Sequence, residues 1–292
     1  MQPLRRVGLL TALHKPLAED RTRLLARALQ EAGVAVLPHE RLAALELEAC
    51  ENCPSEDWAR ASDLIIVLGG DGTLLAAARA AAPAGVPVLG VDLGGFGFLA
   101  EQPFDRVLAA LPGLLRGEFE IEERLMLSAR VEAGGATRQE FTGLNEAFIG
   151  KHEPVRMVHL EAYVDESFVT EYPCDGLIIA TPTGSTAYNL SAGGPLVDPA
   201  VDCFALTPIC AHTLYARPLV VPAGARIRLA LSQRPKPTPR VRLTVDGQLD
   251  TVVEQSEQIV ITAAPYKARL VRLGGSGFYG RLHEKLHWGQ ER

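Results

Sequence analysis

The stretch Leu64-Ile65-Ile66-Val67-Leu68-Gly69-Gly70-Asp71-Gly72-Thr73 carries an unbroken apolar run straight into a glycine-rich corner. Five apolar residues in succession predict a strand buried on both faces, which is the habit of a parallel sheet covered by helices. The Ala-rich residues 74–82 that follow predict a helix, ended by Pro83. Strand, glycine corner and helix together make a β–α unit. Further such units lie on either side. Residues 7–10, 34–37 and 86–91 are short apolar runs, and residues 17–31 and 104–115 read as helices. In the first of these helices Leu17, Leu24, Leu25, Ala28 and Leu29 form the expected apolar stripe, with Gly33 as its stop. An α/β domain with a parallel sheet is therefore expected over residues 1–120.

Beyond Glu120 the period changes. Residues 226–231 (Arg-Ile-Arg-Leu-Ala-Leu) and 240–245 (Arg-Val-Arg-Leu-Thr-Val) alternate with period two, the mark of strands with one wet face. Asp246-Gly247 predicts a two-residue hairpin turn, and Pro235, Pro237 and Pro239 predict a surface loop. Residues 121–275 are thus expected to form an all-β, sandwich-like domain, with a ligand cleft between the two domains. In residues 276–292, Tyr279, Leu282 and Leu286 recur at helical spacing. This terminal helix needs an apolar surface and is expected to return to the first domain.

Composition narrows the class of function. The chain has 292 residues, 47% hydrophobic and 22% charged, with a formal net charge of −6. No excess of positive charge points to nucleic acid or an anionic membrane. No apolar run approaches the roughly 20 residues of a membrane span. The five cysteines are an odd number, which fits a reducing compartment better than a disulfide scaffold. Cys50 and Cys53 have C-x-x-C spacing without a second pair, so no zinc site and no other protein-built metal site is expected. Two arginines before a short apolar run at the N-terminus read as a first strand and not as a signal peptide. The expected location is the cytoplasm.

Three glycine- or hydroxyl-rich stretches are candidates for chemistry. At Gly69-Gly70-Asp71-Gly72-Thr73 the glycines admit a phosphate close to the backbone, and the helix start directs N–H donors at it. An acidic side chain is out of place beside phosphates unless it has a task. Asp71 is suited to accept a proton from a hydroxyl nucleophile, to help hold magnesium, or to cap the helix. A second loop, Gly90-Val-Asp-Leu-Gly-Gly-Phe-Gly-Phe98, follows the next strand, and two such loops at neighbouring strand ends build a cleft on the carboxyl edge of a sheet. The third stretch, Asp175-Gly-Leu-Ile-Ile-Ala-Thr-Pro-Thr-Gly-Ser-Thr-Ala-Tyr-Asn-Leu-Ser-Ala-Gly-Gly-Pro195, is dense in neutral hydrogen-bonding groups. These either orient a nucleoside or satisfy their own turn. Asn145-Glu146 pairs an amide with a carboxylate, a combination able to grip the two hydroxyls of a ribose.

In this order and spacing, Gly69 to Thr73, Asn145-Glu146 and Asp175 to Pro195 resemble the NAD kinase family over nearly the whole chain. The glycine loop is shared with phosphofructokinases and diacylglycerol-type lipid kinases. The segment Thr181-Pro-Thr-Gly-Ser-Thr-Ala-Tyr188 with Ser191-Ala-Gly-Gly-Pro195 is much more specific. The resemblance implies transfer of a phosphoryl group from ATP, or from polyphosphate, to the adenosine-ribose 2′-hydroxyl of NAD. It implies Asp71 as general base and Gly69, Gly70, Gly72 and Thr73 at the phosphates and dinucleotide. Asn145, Glu146, Arg156, Asp175, Thr186, Ala187, Tyr188, Asn189, Leu190, Ser191 and Gln248 match ligand-contact positions. A divalent ion, expected to be magnesium arriving with ATP, and a homodimer or homotetramer are also implied. Pro173 departs from the family pattern, which has a basic residue there. A membrane-directed lipid kinase would need a basic amphipathic stretch that this sequence lacks.

Overall fold

The computed structural model describes residues 3–48, 50, 51, 53–94, 97–100, 102–152, 157–232, 240–274 and 277–287. Phe96, Arg156 and the proline-rich loop expected at 235–239 lie outside them. The chain divides into two compact units, Met1–Glu123 with Tyr266–Arg292, and Arg124–Pro265.

The first unit begins with strands β1 (Arg6–Thr11), β2 (Ala35–Pro38), β3 (Leu64–Gly69), β4 (Val88–Asp92), β5 (Gln102–Pro103) and β6 (Glu120–Arg124). Its helices are α1 (Ala18–Glu31), α2 (Ser55–Trp58), α3 (Asp71–Ala81) and α4 (Phe104–Leu115). β1 pairs in parallel with β2 and β3, and β3 with β4. All six residues of β3 are buried, as a strand covered on both faces requires. The α1 stripe differs from the expected one. Leu17 sits in the left-handed region before the helix, and Leu17 and Leu24 are more than half and half exposed respectively. The buried face is Ala18, Thr22, Leu25, Ala26 and Leu29. Thr22 enters it because its hydroxyl is satisfied by the Ala18 carbonyl at 2.7 Å and by the Thr11 hydroxyl at 2.8 Å.

The second unit is antiparallel. Its strands are β7 (Leu127–Ala133), β8 (Ala136–Gly143), β9 (Glu146–Lys151), β10 (Val158–Val164), β11 (Ser167–Cys174), β12 (Gly176–Ala180), β13 (Cys203–Ile209), β14 (Leu219–Pro222), β15 (Ile227–Leu231), β16 (Val241–Val245), β17 (Leu249–Val253) and β18 (Glu257–Ala263). A short helix, α5 (Tyr188–Ser191), follows β12. Two six-stranded sheets result, in the orders β11-β10-β15-β18-β7-β8 and β14-β13-β12-β9-β16-β17. Ile227, Leu229 and Leu231 of one sheet and Val241, Leu243 and Val245 of the other share one core. The alternation in these two strands therefore marks the inner faces of a sandwich.

The chain then returns. β19 (Ala268–Arg272) pairs in parallel with β4 and lies between β4 and β6, and α6 (Phe278–Leu286) follows it. Residues 266–275, expected in the β domain, thus belong to the first unit. Val271 enters the first core, and Arg272 Nε donates to Glu122 Oε2 at 2.6 Å. A five-residue strand does not announce in its own pattern which sheet it will join. α6 also belongs to the first unit, although its buried residues are Arg281 and Leu282. Tyr279, counted in the expected stripe, is 70% exposed. Among the described residues no helix is long and apolar enough to cross a membrane.

Candidate functional site

In the first unit the two glycine-rich loops leave the carboxyl ends of the neighbouring strands β3 and β4. Gly70 caps α3 and no side chain does, so Asp71 is not the helix cap. Its carboxylate instead takes the N–H groups of Phe98, Leu99 and Ala100 at 2.8, 3.0 and 3.0 Å. Asp71 therefore ties the first loop to the second. A Cβ on residue 97 would stand 2.5 Å from Asp71 Oδ1, which is why glycine occupies that place. A carboxylate offers about four lone-pair sites, and these N–H groups occupy three, which orients the group and leaves one acceptor site. Thr73 and Gly69 pack against each other, while a Cβ on Gly70 would meet nothing within 4 Å. Lys15, just beyond β1, reaches the same edge and donates from Nζ to the Gly94 carbonyl at 2.9 Å. Sequence reading missed Lys15, because no motif surrounds it.

In the second unit the site grows from the start of β9. β12 pairs with β9, setting Ala180 opposite Glu146. Beyond the ladder, Thr181 donates its N–H to the Asn145 carbonyl at 2.8 Å and its hydroxyl to the Leu144 carbonyl at 2.5 Å. The following turn lies so close that a Cβ on Gly184 would overlap the Asn145 carbonyl oxygen. The turn thereby brings Asn145, Glu146, Thr186, Ala187 and Tyr188 into one neighbourhood. Tyr188, 43% exposed, packs edge-on against Phe148 with ring centroids 5.4 Å apart.

The hydroxyl-rich stretch mostly serves itself. Ser185 is fully buried and exchanges hydrogen bonds with the backbone of Val197. Thr186 donates to the Thr183 carbonyl. Asn189, also fully buried, donates to the carbonyls of Ser185 and Pro195 and accepts from Thr207. It shapes the turn from within, whereas the ring of Tyr188 and the side chain of Ser191 are exposed. Leu190 and Ala187 are half-buried.

Two polar atoms here stand out. Among the described residues, Asn145 Oδ1 and Glu146 Oε2 are buried without a hydrogen-bond partner. A buried polar atom left unpaired costs about 1–3 kcal/mol, so a ligand group or an ordered water that pairs it is favoured there. Glu146 is 7% exposed, and its carboxyl is pushed up to about 8. Burial is the main cause, the Asp246 carboxylate adds to it, and the Tyr188 backbone N–H works against both. At neutral pH this group is mainly a neutral acid able to donate.

Asp175 is placed elsewhere. Gly176 pairs with Gly150 at the far end of the β9–β12 ladder, and Asp175 forms an ion pair there with Lys151 at 2.9 Å. That end is about 13 Å from Glu146 at a strand rise of roughly 3.3 Å per residue. Gln248 is exposed on the β16–β17 hairpin. The turn itself departs from expectation. Asp246 and Gly247 have the positive φ of 51° and 65° that the Asp-Gly pair predicts, but the ladder closes at Val245 and Leu249, so three residues make the connection.

Residues 7–119 match the family model of the ATP-NAD kinase N-terminal domain, and residues 144–273 match that of the ATP-NAD kinase C-terminal domain. The chain belongs to the ATP-NAD kinase family. An NAD kinase of Moorella thermoacetica is 43% identical over 289 residues, 99% of this chain and 91% of that one. An NAD kinase of Symbiobacterium thermophilum is 45% identical over 276 residues, 93% and 95% of the two chains. Among solved structures, yeast NADH kinase complexed with NADH superposes with a TM-score of 0.89 at 25% identity, covering 100% of this chain and 90% of the yeast chain. An NAD kinase from Archaeoglobus fulgidus has the same fold, with a TM-score of 0.72 over 97% and 98% of the two chains at 24% identity. Family membership thus rests on both halves of the chain, including the segment 181–195 that carries the specific resemblance.

Proposed function

We propose that this chain is an NAD kinase, transferring the terminal phosphoryl group of ATP to the 2′-hydroxyl of the adenosine ribose of NAD to give NADP. The observation that carries this reading is the buried, unpaired pair Asn145 Oδ1 and Glu146 Oε2 beside the exposed Tyr188 ring, in a chain whose two halves both match ATP-NAD kinase domains. The amide oxygen accepts, the protonated acid donates, and a ribose diol both gives and takes hydrogen bonds. Tyr188 adds a surface for an adenine ring.

Phosphoryl transfer asks the protein for positioning and charge stabilisation more than for covalent chemistry. Gly69, Gly70, Gly72 and Thr73, at the end of β3 and the start of α3, are assigned to the donor phosphates. The glycines let a phosphate come close to the backbone, and the positive end of the helix dipole attracts it, while the Thr73 N–H is itself donated to the Gly70 carbonyl at 3.1 Å. Lys15 supplies a full positive charge at the same sheet edge. Asp71, oriented by its N–H donors, accepts the proton of the attacking hydroxyl at its remaining lone pair. Among the described residues no three His, Cys, Asp or Glu side chains form a metal cage. Magnesium keeps most of its water and needs no such cage, since substrate phosphates supply most of its other ligands. The ion would be held by the substrate phosphates and water and would neutralise phosphate charge, which leaves the last Asp71 lone pair to the proton. Arg156, Asp175, Thr186, Ala187, Leu190, Ser191 and Gln248 are assigned to the dinucleotide by their family positions, and Asn189 to shaping their turn. A homo-oligomer working in the cytoplasm completes the reading.

Incubating the purified protein with NAD, ATP and magnesium should yield NADP, measured with an NADP-specific dehydrogenase. An NAD analogue lacking the adenosine 2′-hydroxyl should bind and accept no phosphate. No NADP, or a phosphorylated analogue, would overturn the assignment. Tyr188→Ala should raise the KM for NAD roughly five- to tenfold, in line with the worth of an aromatic contact, and change that for ATP less than twofold. Equal effects on both substrates would mean that the ring only packs on Phe148.

A further inference from the structure

Asp246 carries more than its turn demands. Its carboxylate accepts the N–H groups of Leu144, Asn145 and Glu146 at 3.0, 2.8 and 3.3 Å. Its own N–H donates to the Glu146 carbonyl at 2.9 Å. The residue is 6% exposed in a left-handed backbone conformation, on a hairpin that starts about 100 residues later in the chain. A hairpin turn needs none of these contacts. Space is kept for them, because a Cβ on Gly143 would stand 2.9 Å from Asp246 Oδ1.

We propose that Asp246 is a positioning residue of the NAD site: its carboxylate fixes the backbone that carries Asn145 and Glu146, and its charge sets what Glu146 offers a ligand. The inference rests on the assignment of Asn145 and Glu146 to NAD given above. Three consecutive N–H groups held by one carboxylate lock the entry into β9. The two side chains therefore leave that segment in fixed directions, with Asn145 Oδ1 and Glu146 Oε2 free for the ligand. Through space, the Asp246 charge acts on Glu146 in the same sense as burial, while the Tyr188 N–H opposes it. The Glu146 carboxyl accordingly keeps its proton through neutral pH and gives it up near pH 8. Above that pH the site loses its donor and gains a negative charge that repels the phosphates of the dinucleotide, so NAD binding weakens as pH rises.

The test compares the full-length wild type with Asp246→Asn and Asp246→Ala. Carbon-13 NMR of the side-chain carboxyls in the free protein, with the Glu146 signal assigned by its loss in Glu146→Gln, follows the titration without any substrate. Asp246→Asn keeps the shape and one acceptor oxygen and removes the charge, so the Glu146 midpoint should fall by about half a pH unit or more. The alkaline limb of kcat/KM for NAD should move down with it, while KM for ATP stays within about twofold. Asp246→Ala leaves the N–H groups without their acceptor and should raise KM for NAD by roughly tenfold or more, with Asp246→Asn recovering most of that loss at pH 7. An unmoved Glu146 midpoint in Asp246→Asn, or equal rises in KM for NAD and ATP, would overturn the proposal. If Asp246→Ala fails to fold, Asp246→Asn carries the test. A wild type that makes no NADP would overturn the assigned activity instead, and the titration would still decide what Asp246 does to Glu146.

Discussion

Asp71→Asn should lower kcat by about 10²–10⁴-fold, the usual worth of general-base assistance, and leave the KM for NAD nearly unchanged. A carboxylate beside phosphates weakens ground-state binding of the donor, so its presence argues for a gain in the transition state. The structure adds a second consequence. Asp71 takes the Phe98 N–H on Oδ2 and those of Leu99 and Ala100 on Oδ1. Asparagine retains one oxygen and sets an NH2 against a backbone donor, so one of these bonds is lost. A fall in stability of about 1–3 kcal/mol is expected from the unpaired group. The two roles separate by kinetics. Loss of a base lowers the rate at every ATP concentration, saturating ATP included. Loss of a loop anchor raises the KM for ATP and reduces kcat less than tenfold, so saturating donor recovers most of the rate. Steady-state rates against ATP and NAD, with a melting curve for each protein, give the answer. Near-normal kcat in a folded variant would remove Asp71 from the chemistry.

Gly184→Ala is the second change expected to have a large effect. The added Cβ would overlap the carbonyl oxygen of Asn145 and stand 2.5 and 2.8 Å from its carbonyl carbon and Cα. These are backbone atoms, held in turn by the Thr181 N–H and, at Leu144, by the Thr181 hydroxyl. No rotamer change relieves the overlap. The turn and the start of β9 must separate, which moves Tyr188 away from Asn145 and Glu146. Overpacking of this kind costs about 1–3 kcal/mol, so the melting temperature should drop by several degrees. The KM for NAD should rise more than about tenfold, since small displacements of positioning groups are heavily penalised. Gly224→Ala, where a Cβ meets nothing within 4 Å and φ is ordinary, should change neither quantity. An active, thermally unaltered Gly184→Ala protein would show that the turn can yield without moving the site.

Much of the first unit was legible because burial leaves a strong local mark. An all-apolar strand such as β3, a glycine corner and a capped Ala-rich run state their own conformation within about 20 residues. The α1 stripe was less legible. Thr22 reads as polar, and only the partner hydroxyl of Thr11 and the Ala18 carbonyl make it a core residue. Period-two alternation in β15 and β16 likewise announced strands with an inner face. It held no information about which strands would be neighbours, because pairing depends on hydrogen bonds between segments far apart in the chain.

The sequence by itself determined the fold class, the glycine loop, and the grouping of Asn145, Glu146 and the 181–195 stretch as one family's signature, since each of these is written in local pattern and spacing. Only the tertiary structure decided how the hydroxyl-rich stretch divides its labour, with Asn189 and Ser185 spent inside the turn and Tyr188 turned outward. It also decided that β19 returns to the first sheet, and that Asp71 grips the loop after β4. Above all it showed Asp246, read locally as half of a turn, to be the acceptor that holds Asn145 and Glu146. The physical reason is the same in each case: a side chain's hydrogen-bond partners are chosen by long-range pairing and burial, and neither is visible in the residues beside it.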